Sequence, residues 1–380
     1  MKKIITLENF IWLIILVLPV YLIRFPGFNL LDILIGVAFI WWLKTDSERL
    51  GRTIGFIRQN KVAVAGFGLV MAGLLGGLWK TDNVWLTLGI IKSWFLLPFM
   101  LGFLFRVVIS EERRKRLFFT FFLSALFLSL ISWAFYFSGN LTFDGRLSAF
   151  FNSPNYLFMF LAAGFLSGLS WIISVDETAK KKGLIGVGLL SILAILFLTK
   201  SYSGIVALSV AMLFLGKKVF FRWRFALGLF LFLSSFLFFE GKSDKFSDLI
   251  RLDDRSSLAS REIIWKASFQ IIEDNWFLGI GAGNFQEKYL EYQKFFPPYL
   301  EWAVPHPHNL FLSFWLNSGL IGLLGFGIIL WNWVRISRYK NKKLLWGASA
   351  IMLYFLLHGL LDTSYFKNDL ACLFWLVYFL

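Results

Sequence analysis

His306 and His308 stand two apart in EWAVPHPHNLFLSFWL, residues 301–316, and the chain holds only three histidines in 380 residues. They fall where a polar, charge-mixed segment gives way to a long apolar run. An imidazole suits general-base work on a hydroxyl, and arginines suit the stabilisation of a departing phosphate. His308 is the candidate base, although a residue just ahead of an apolar helix reads equally well as a cap. Arg261 and Arg146 are the candidate phosphate contacts, each also readable as a solvated charge. In SREIIWKASFQIIEDNWF, from Ser260, the serine reads as an N-cap and places Arg261 in the first turn, where free N–H groups and the helix dipole favour an anion. The same stretch puts Trp265, Phe269, Ile272 and Trp276 on one face. That face suits either a helix lying on the membrane or a lid over a site. GIGAGNF, 279–285, ends the helix in a flexible turn, with no strand ahead of it to make a dinucleotide fingerprint.

Arg146 belongs to GRLSAFFNSPN, 145–155, in which Ser153 and Pro154 read as cap and first helical residue, flanked by Asn152 and Asn155. His358 and Asp362 are spaced as one helical turn and would share a face, where Asp362 could orient a base or a hydroxyl. Asp32 and Lys92 fall inside apolar blocks, where isolated charges are costly, and are expected to pair. No Asp-x-Asp, Cys-x-x-Cys or His-Glu-x-x-His is present, and two histidines in a proline-bounded turn make a poor zinc site. No metal and no cofactor is expected. A Gly-x-Ser-x-Gly elbow is also missing, and the single cysteine, Cys372, excludes an intramolecular disulfide.

The elements that position these groups are membrane helices. Hydrophobic residues make up 58% of the chain and charged residues 16%. The apolar residues gather in blocks near the ~20 residues a spanning helix needs. Twelve can be read: 9–25, 28–43, 61–79, 83–109, 117–137, 155–175, 183–198, 202–216, 222–239, 308–333, 344–363 and 367–380. No alternating barrel pattern appears, so the fold class is an all-α polytopic membrane protein. The first block lacks a small-residue cleavage site and reads as a retained helix, and the last runs to Leu380 with no tail.

Basic residues assign orientation. Lys2, Lys3, the five of 44–61, RRKR at 113–116, Lys180 to Lys182, Lys217, Lys218, Arg222, Arg224 and the five of 335–343 all fall on one side. The opposite short loops hold one each: Arg24, Lys80, Arg146, Lys200 and Lys367. The rich side is expected to be cytoplasmic, with both termini there. The net charge of +15 is then a topology signal rather than a nucleic-acid footprint. Residues 240–307 form an extracytoplasmic segment of 68 residues with eight basic and eleven acidic side chains, dividing the chain into 1–239, 240–307 and 308–380. Connections of that length are usually functional.

Arg261-x-x-x-Trp265, the GIGAGNF turn, His308-Asn309 opening a long apolar helix and SGLIGLLGF from Ser318 together resemble the O-antigen ligase and polymerase superfamily. GRLSAFFNSPN and HGLLDTSYFKNDL, 358–370, are similar to members of that group as well. The resemblance implies a metal-independent C-type glycosyltransferase of the bacterial cytoplasmic membrane. It would move a glycan from undecaprenyl pyrophosphate to the hydroxyl of an acceptor lipid, glycan or protein. By the same resemblance His308 is the essential histidine, Arg261 and Arg146 contact pyrophosphate, and Asp362 is the late acidic residue. Where members carry Ser-Arg-Gly or Ser-Arg-Ser, this chain has Ser201-Tyr202-Ser203. Lys200, Tyr202, Asn155 and Asn309 complete the expected substrate-binding set. A polymerase joining repeat units is the alternative within the group. A flippase, the alternative outside it, would be expected to show internal repeats.

Overall fold

The computed structural model describes residues 6–216, 230, 234, 236–238, 240–241, 243, 246–247, 256–297, 304–339 and 343–380. The expected ninth block, 222–239, lies largely outside these residues. So do Lys2, Lys3, Lys217, Lys218, Arg222 and Arg224 of the orientation count, with Lys340 and Lys342.

Each of the other eleven blocks holds helix, and further helices lie between the blocks. In order these are α1 (Leu7–Leu16), α2 (Leu30–Thr45), α3 (Arg49–Gln59), α4 (Lys61–Gly76), α5 (Val84–Ile90), α6 (Leu97–Val108), α7 (Arg116–Phe137), α8 (Pro154–Ser174), α9 (Ala179–Leu198) and α10 (Tyr202–Gly216). After them come α11 (Ser257–Asn275), α12 (Phe285–Tyr292), α13 (Leu310–Tyr339), α14 (Lys343–Gly359) and α15 (Asn368–Tyr378). Among the described residues, six runs are long and apolar enough to cross a bilayer: 61–80, 84–108, 111–137, 154–174, 179–198 and 310–338. The protein is a multi-pass, helical membrane protein. A hairpin, Arg24–Phe25 against Phe28–Asn29, links α1 to α2.

Helix α8 is the axis. Every residue from Tyr156 to Gly168 is buried, as expected for a helix that is apolar all round. Its start is the one read from sequence: Ser153 accepts a hydrogen bond from Asn155 N at 3.2 Å, and Pro154 is the first helical residue. Helix α4 crosses α13 closely because small residues meet there: Gly66 faces Gly325, and Gly73 faces Ser318 and Gly322. Small residues at a crossing let two backbones approach in lipid.

Helix α13 is broken at Gly319, with φ 64° and ψ −172°. The turn after α11 fills the break: Leu320 N donates to Trp276 O at 3.0 Å, and Ile280 N donates to Leu316 O at 2.8 Å. A side chain at Gly319 would run into the Phe277 carbonyl. Glycine also takes its positive φ without the Cβ penalty. Gly279, Gly281 and Gly283 likewise have φ of 70°, 82° and 95°, so GIGAGNF is the turn expected from its composition.

Two expectations about α11 are corrected. Its cap is Ser256, which accepts from Ala259 N at 3.2 Å, so the helix starts a turn before Ser260 and Arg261 lies beyond the first turn. The buried face is Ile264, Ala267, Ser268, Ile271 and Ile272, while Phe269 and Trp276 are half exposed. Of the four residues expected to share one face, Ile272 is buried with this aliphatic stripe, which fits against α12 and α13, and the larger Phe269 and Trp276 stand outside it. A third correction concerns Asp362: α14 ends at Gly359, so Asp362 lies in the turn beyond and does not continue the face of His358. Gly359 packs on Leu310 there, which brings the chain off the helix beside the start of α13.

Candidate functional site

Four connections meet at one end of the bundle: 138–153, 199–201, the segment before α13, and the turn 360–367. Their seam is stitched by Asn309. Its Oδ1 accepts from Phe311 N at 2.9 Å and Leu312 N at 3.0 Å, and its Nδ2 donates to Leu360 O at 2.9 Å. Asn309 is therefore the cap of α13, which releases His308 from that role. His308 has φ of 48°, a left-handed conformation uncommon for a residue with a side chain. Trp265 holds the preceding residue by donating to Pro307 O at 2.9 Å.

So placed, His308 Nδ1 lies 3.2 Å from Asp362 Oδ1. Asp362 is 1% exposed. Its Oδ1 also accepts from Thr363 N at 2.8 Å, and its Oδ2 from Asn155 Nδ2 at 2.7 Å. Burial alone would raise the carboxyl. Contact with His308 outweighs it and holds Asp362 well below the usual carboxylate range. An ionised Asp362 fixes the proton of His308 on Nδ1 and leaves Nε2 as the basic nitrogen.

Asn155 relays this charge. Arg146 NH2 donates to Asn155 Oδ1 at 2.8 Å, and Arg146 Nε to Thr199 O at 2.7 Å, while Asp144 lies 3.8 Å from NH1. Burial lowers the Arg146 guanidinium below its ordinary value, and Asp144 and Asp362 oppose that shift. Arg261 is anchored by Leu361 O at 2.8 Å and Ser257 O at 2.9 Å, next to Asp362 in the chain. Lys200, also at positive φ (48°), pairs with Glu240 at 3.3 Å, and Tyr202 donates to the same carboxylate at 3.0 Å. Arg146, Asn155, Asp362, His308 and Arg261 thus form one cluster. Lys200 and Tyr202 border it through Thr199, with their polar ends on Glu240.

His308 lines a cavity of about 340 Å³, shared with Trp94, Asn152, Ser153, Tyr156, His306 and Lys367 among others. His306 Nε2 is 3.0 Å from Tyr156 Oη and 3.9 Å from Asp362 Oδ1. Burial first, and His308 second, push His306 down to about 3. One donor atom from each of His306, His308 and Asp362 lies within 4.8 Å of the others, a spacing able to hold a metal ion. His308 Nδ1 and Asp362 Oδ1 are already in hydrogen-bond contact.

Beside the cavity Asp32 and Lys92 pair at 3.0 Å, as their positions implied. Ser93 donates to Asp32 at 2.6 Å, and Asn368 bridges Asp32, at 3.4 Å, to the indole of Trp94, at 3.1 Å. This register comes from a π-helical stretch, Ile91–Leu96. Such single turns often occur at functional sites. Sequence reasoning passed over Trp94, Tyr156, Lys367 and Glu240. Only Lys367 carried a signal, as one of five basic residues in the sparse loops.

Residues 187–327 match the family model described as O-Antigen ligase. The stretch includes Lys200, Tyr202, Arg261, His308 and Asn309, and it supports membership of the O-antigen ligase superfamily and a membrane glycan ligase or polymerase type of activity. No curated protein matches the chain.

Proposed function

We propose that the protein transfers a glycan from undecaprenyl pyrophosphate to an acceptor hydroxyl at the extracytoplasmic face of the bacterial cytoplasmic membrane. Both termini are then cytoplasmic, and 240–307 is an extracytoplasmic segment. The observation that carries this reading is the buried, ionised Asp362 holding Nδ1 of His308 at the rim of a cavity. His308 Nε2 takes the proton of the acceptor hydroxyl as that oxygen bonds to the anomeric carbon. The carbon–oxygen bond to pyrophosphate breaks, and its electron pair leaves with the phosphate. Arg146 and Arg261 supply the positive charge that stabilises the leaving group. A single displacement inverts the anomeric configuration. No metal is needed, since the guanidinium groups do the work of a Lewis acid.

The test is transfer by the purified protein with undecaprenyl-pyrophosphate glycan and EDTA present. Wild type is expected to turn over, and His308→Ala to lose roughly 10²–10⁴-fold while remaining monodisperse. Full activity in a folded His308→Ala variant sinks the assignment. Turnover abolished by EDTA and restored by a divalent cation moves His306, His308 and Asp362 to a metal role. Carrier pyrophosphate released with a longer glycan on the carrier marks a polymerase; release only with a separate acceptor marks a ligase.

A further inference from the structure

Among the described residues, the cations bound into the networks around this site have partners, and Lys367 stands apart from them. Arg146 has Asp144 and Asn155, Arg261 has two carbonyls, Lys200 has Glu240 and Lys92 has Asp32. Lys367, in the cavity wall, makes no side-chain hydrogen bond or ion pair among the described residues. Its Nζ rests 4.1 Å over the ring of Tyr156. Asp369, two residues on, uses Oδ1 on its own helix, accepting from Leu370 N at 2.9 Å. Asp362 lines the same cavity, but both its oxygens are engaged by His308, Thr363 and Asn155. Burial lowers the Lys367 ammonium below its ordinary value, while the nearby charges of Asp369 and Asp362 oppose that shift and Arg24 adds to it. A partly desolvated ammonium with no hydrogen-bonding partner is poorly satisfied until an anion arrives.

The rest of the wall suits a sugar. Trp94, held by Asn368, and Phe366 offer flat apolar faces, while Asn152, Ser153 and Asn317 offer hydroxyl and amide groups. The volume, about 340 Å³, falls at the small end of ligand sites. We propose that this cavity is the acceptor subsite and that Lys367 selects an acceptor sugar bearing an anionic group, a carboxylate or a phosphate. Trp94 is the face on which that sugar stacks. The proposal rests on the transfer reading for the word acceptor, but its test reads binding alone.

Octyl β-glucuronide, octyl β-glucoside and octyl glucoside 6-phosphate are titrated against the full chain in phosphatidylcholine nanodiscs by microscale thermophoresis. Wild type should bind at least one anionic glycoside about tenfold or more tighter than the neutral one, the margin of one hydrogen bond to a charged group. Lys367→Met should bind all three alike, at the neutral level, and Lys367→Arg should keep the preference. Tighter binding of the glucuronide assigns a carboxylate, and of the phosphate ester a phosphate. Equal binding by wild type, no binding of any of the three, or a preference surviving in Lys367→Met overturns the proposal. A chain that binds with this preference yet transfers nothing would refute the transferase reading and leave the subsite standing.

Discussion

The two sides of His308 are built differently. Behind the ring, Asp362, Asn155 and Arg146 form a relay in which each carboxylate oxygen and both ends of the Asn155 amide have a partner. In front lies a cavity in which Lys367 rests on an aromatic ring. A satisfied network is rigid and fixes one tautomer, whereas an unsatisfied pocket is a place for something else to bind. The difference separates the machinery that prepares the base from the surface that chooses what the base acts on. Variants behind the ring should therefore change turnover, and variants in front should change affinity.

Asp362→Asn breaks the rear most completely. An amide presents one acceptor and one donor where the carboxylate offers two acceptors. Its NH₂ must face either Asn155 Nδ2, which cannot accept, or His308 Nδ1, which accepts only once its proton has moved to Nε2. Loss of the fixed tautomer should lower kcat by roughly 10²-fold or more, within the range for a general base, with little change in KM. A variant that changes KM alone would show that Asp362 belongs to the binding side. Asn155→Ala is the next step down. It leaves Arg146 NH2 and Asp362 Oδ2 short of a partner at a cost of about 1–3 kcal/mol, read as a lower thermal midpoint. The expected fall in kcat is smaller than for Asp362→Asn, because His308 keeps its carboxylate.

Much of this arrangement was legible in sequence, and the illegible parts share a cause. The helices were readable because long apolar runs have few alternatives in a bilayer. Ser153-Pro154 and the Asp32–Lys92 pair were readable because cap chemistry and the cost of a lone intramembrane charge act locally. His308, Asp362, Arg146 and Arg261 came from residue scarcity and resemblance. Other features depend on what arrives from far along the chain. The start of α11 chose Ser256 over Ser260, and its aliphatic stripe over its aromatic one, because α12 and α13 pack there. The break at Gly319 exists because 276–280 inserts into it. Trp94 reaches the cavity through a π-helical turn that no spacing rule announces.

Gly279→Ala acts on the frontal wall at a distance, since 279–285 carries Gly283 and Phe285 into the cavity. Its φ is 70°, and a Cβ there would meet the carbonyl of Leu316. The left-handed strain alone costs about 1–2 kcal/mol, and the insertion into α13 must loosen besides. Glycoside affinity should fall several-fold, with smaller loss of kcat at saturation than Asn155→Ala gives. Equal loss of both would mean that the glycine turn supports the rear network too.

The smallest effect is expected at His306, which touches both sides. Its neighbours are Tyr156, His308, Asp362 and Lys367, and its pKa is pushed down to about 3. Across working pH it is neutral, so it is not the group whose protonation shapes the acid limb of the rate profile. His306→Gln retains a group that can hydrogen-bond Tyr156 Oη and should leave kcat within about threefold, well short of general-base loss. Stability separates the two proteins instead. An unfolded histidine protonates near pH 6.5, whereas the folded His306 resists until about 3. Between those values the unfolded chain binds the extra proton, so stability is fully present above the upper value and is lost as pH falls. Asp362 adds loss of the same sign only below the ordinary carboxylate range. From pH 7 down to pH 5, roughly the upper part of that window, wild type should lose thermal midpoint faster than His306→Gln, and parallel curves would place His306 among groups that titrate as freely folded as unfolded.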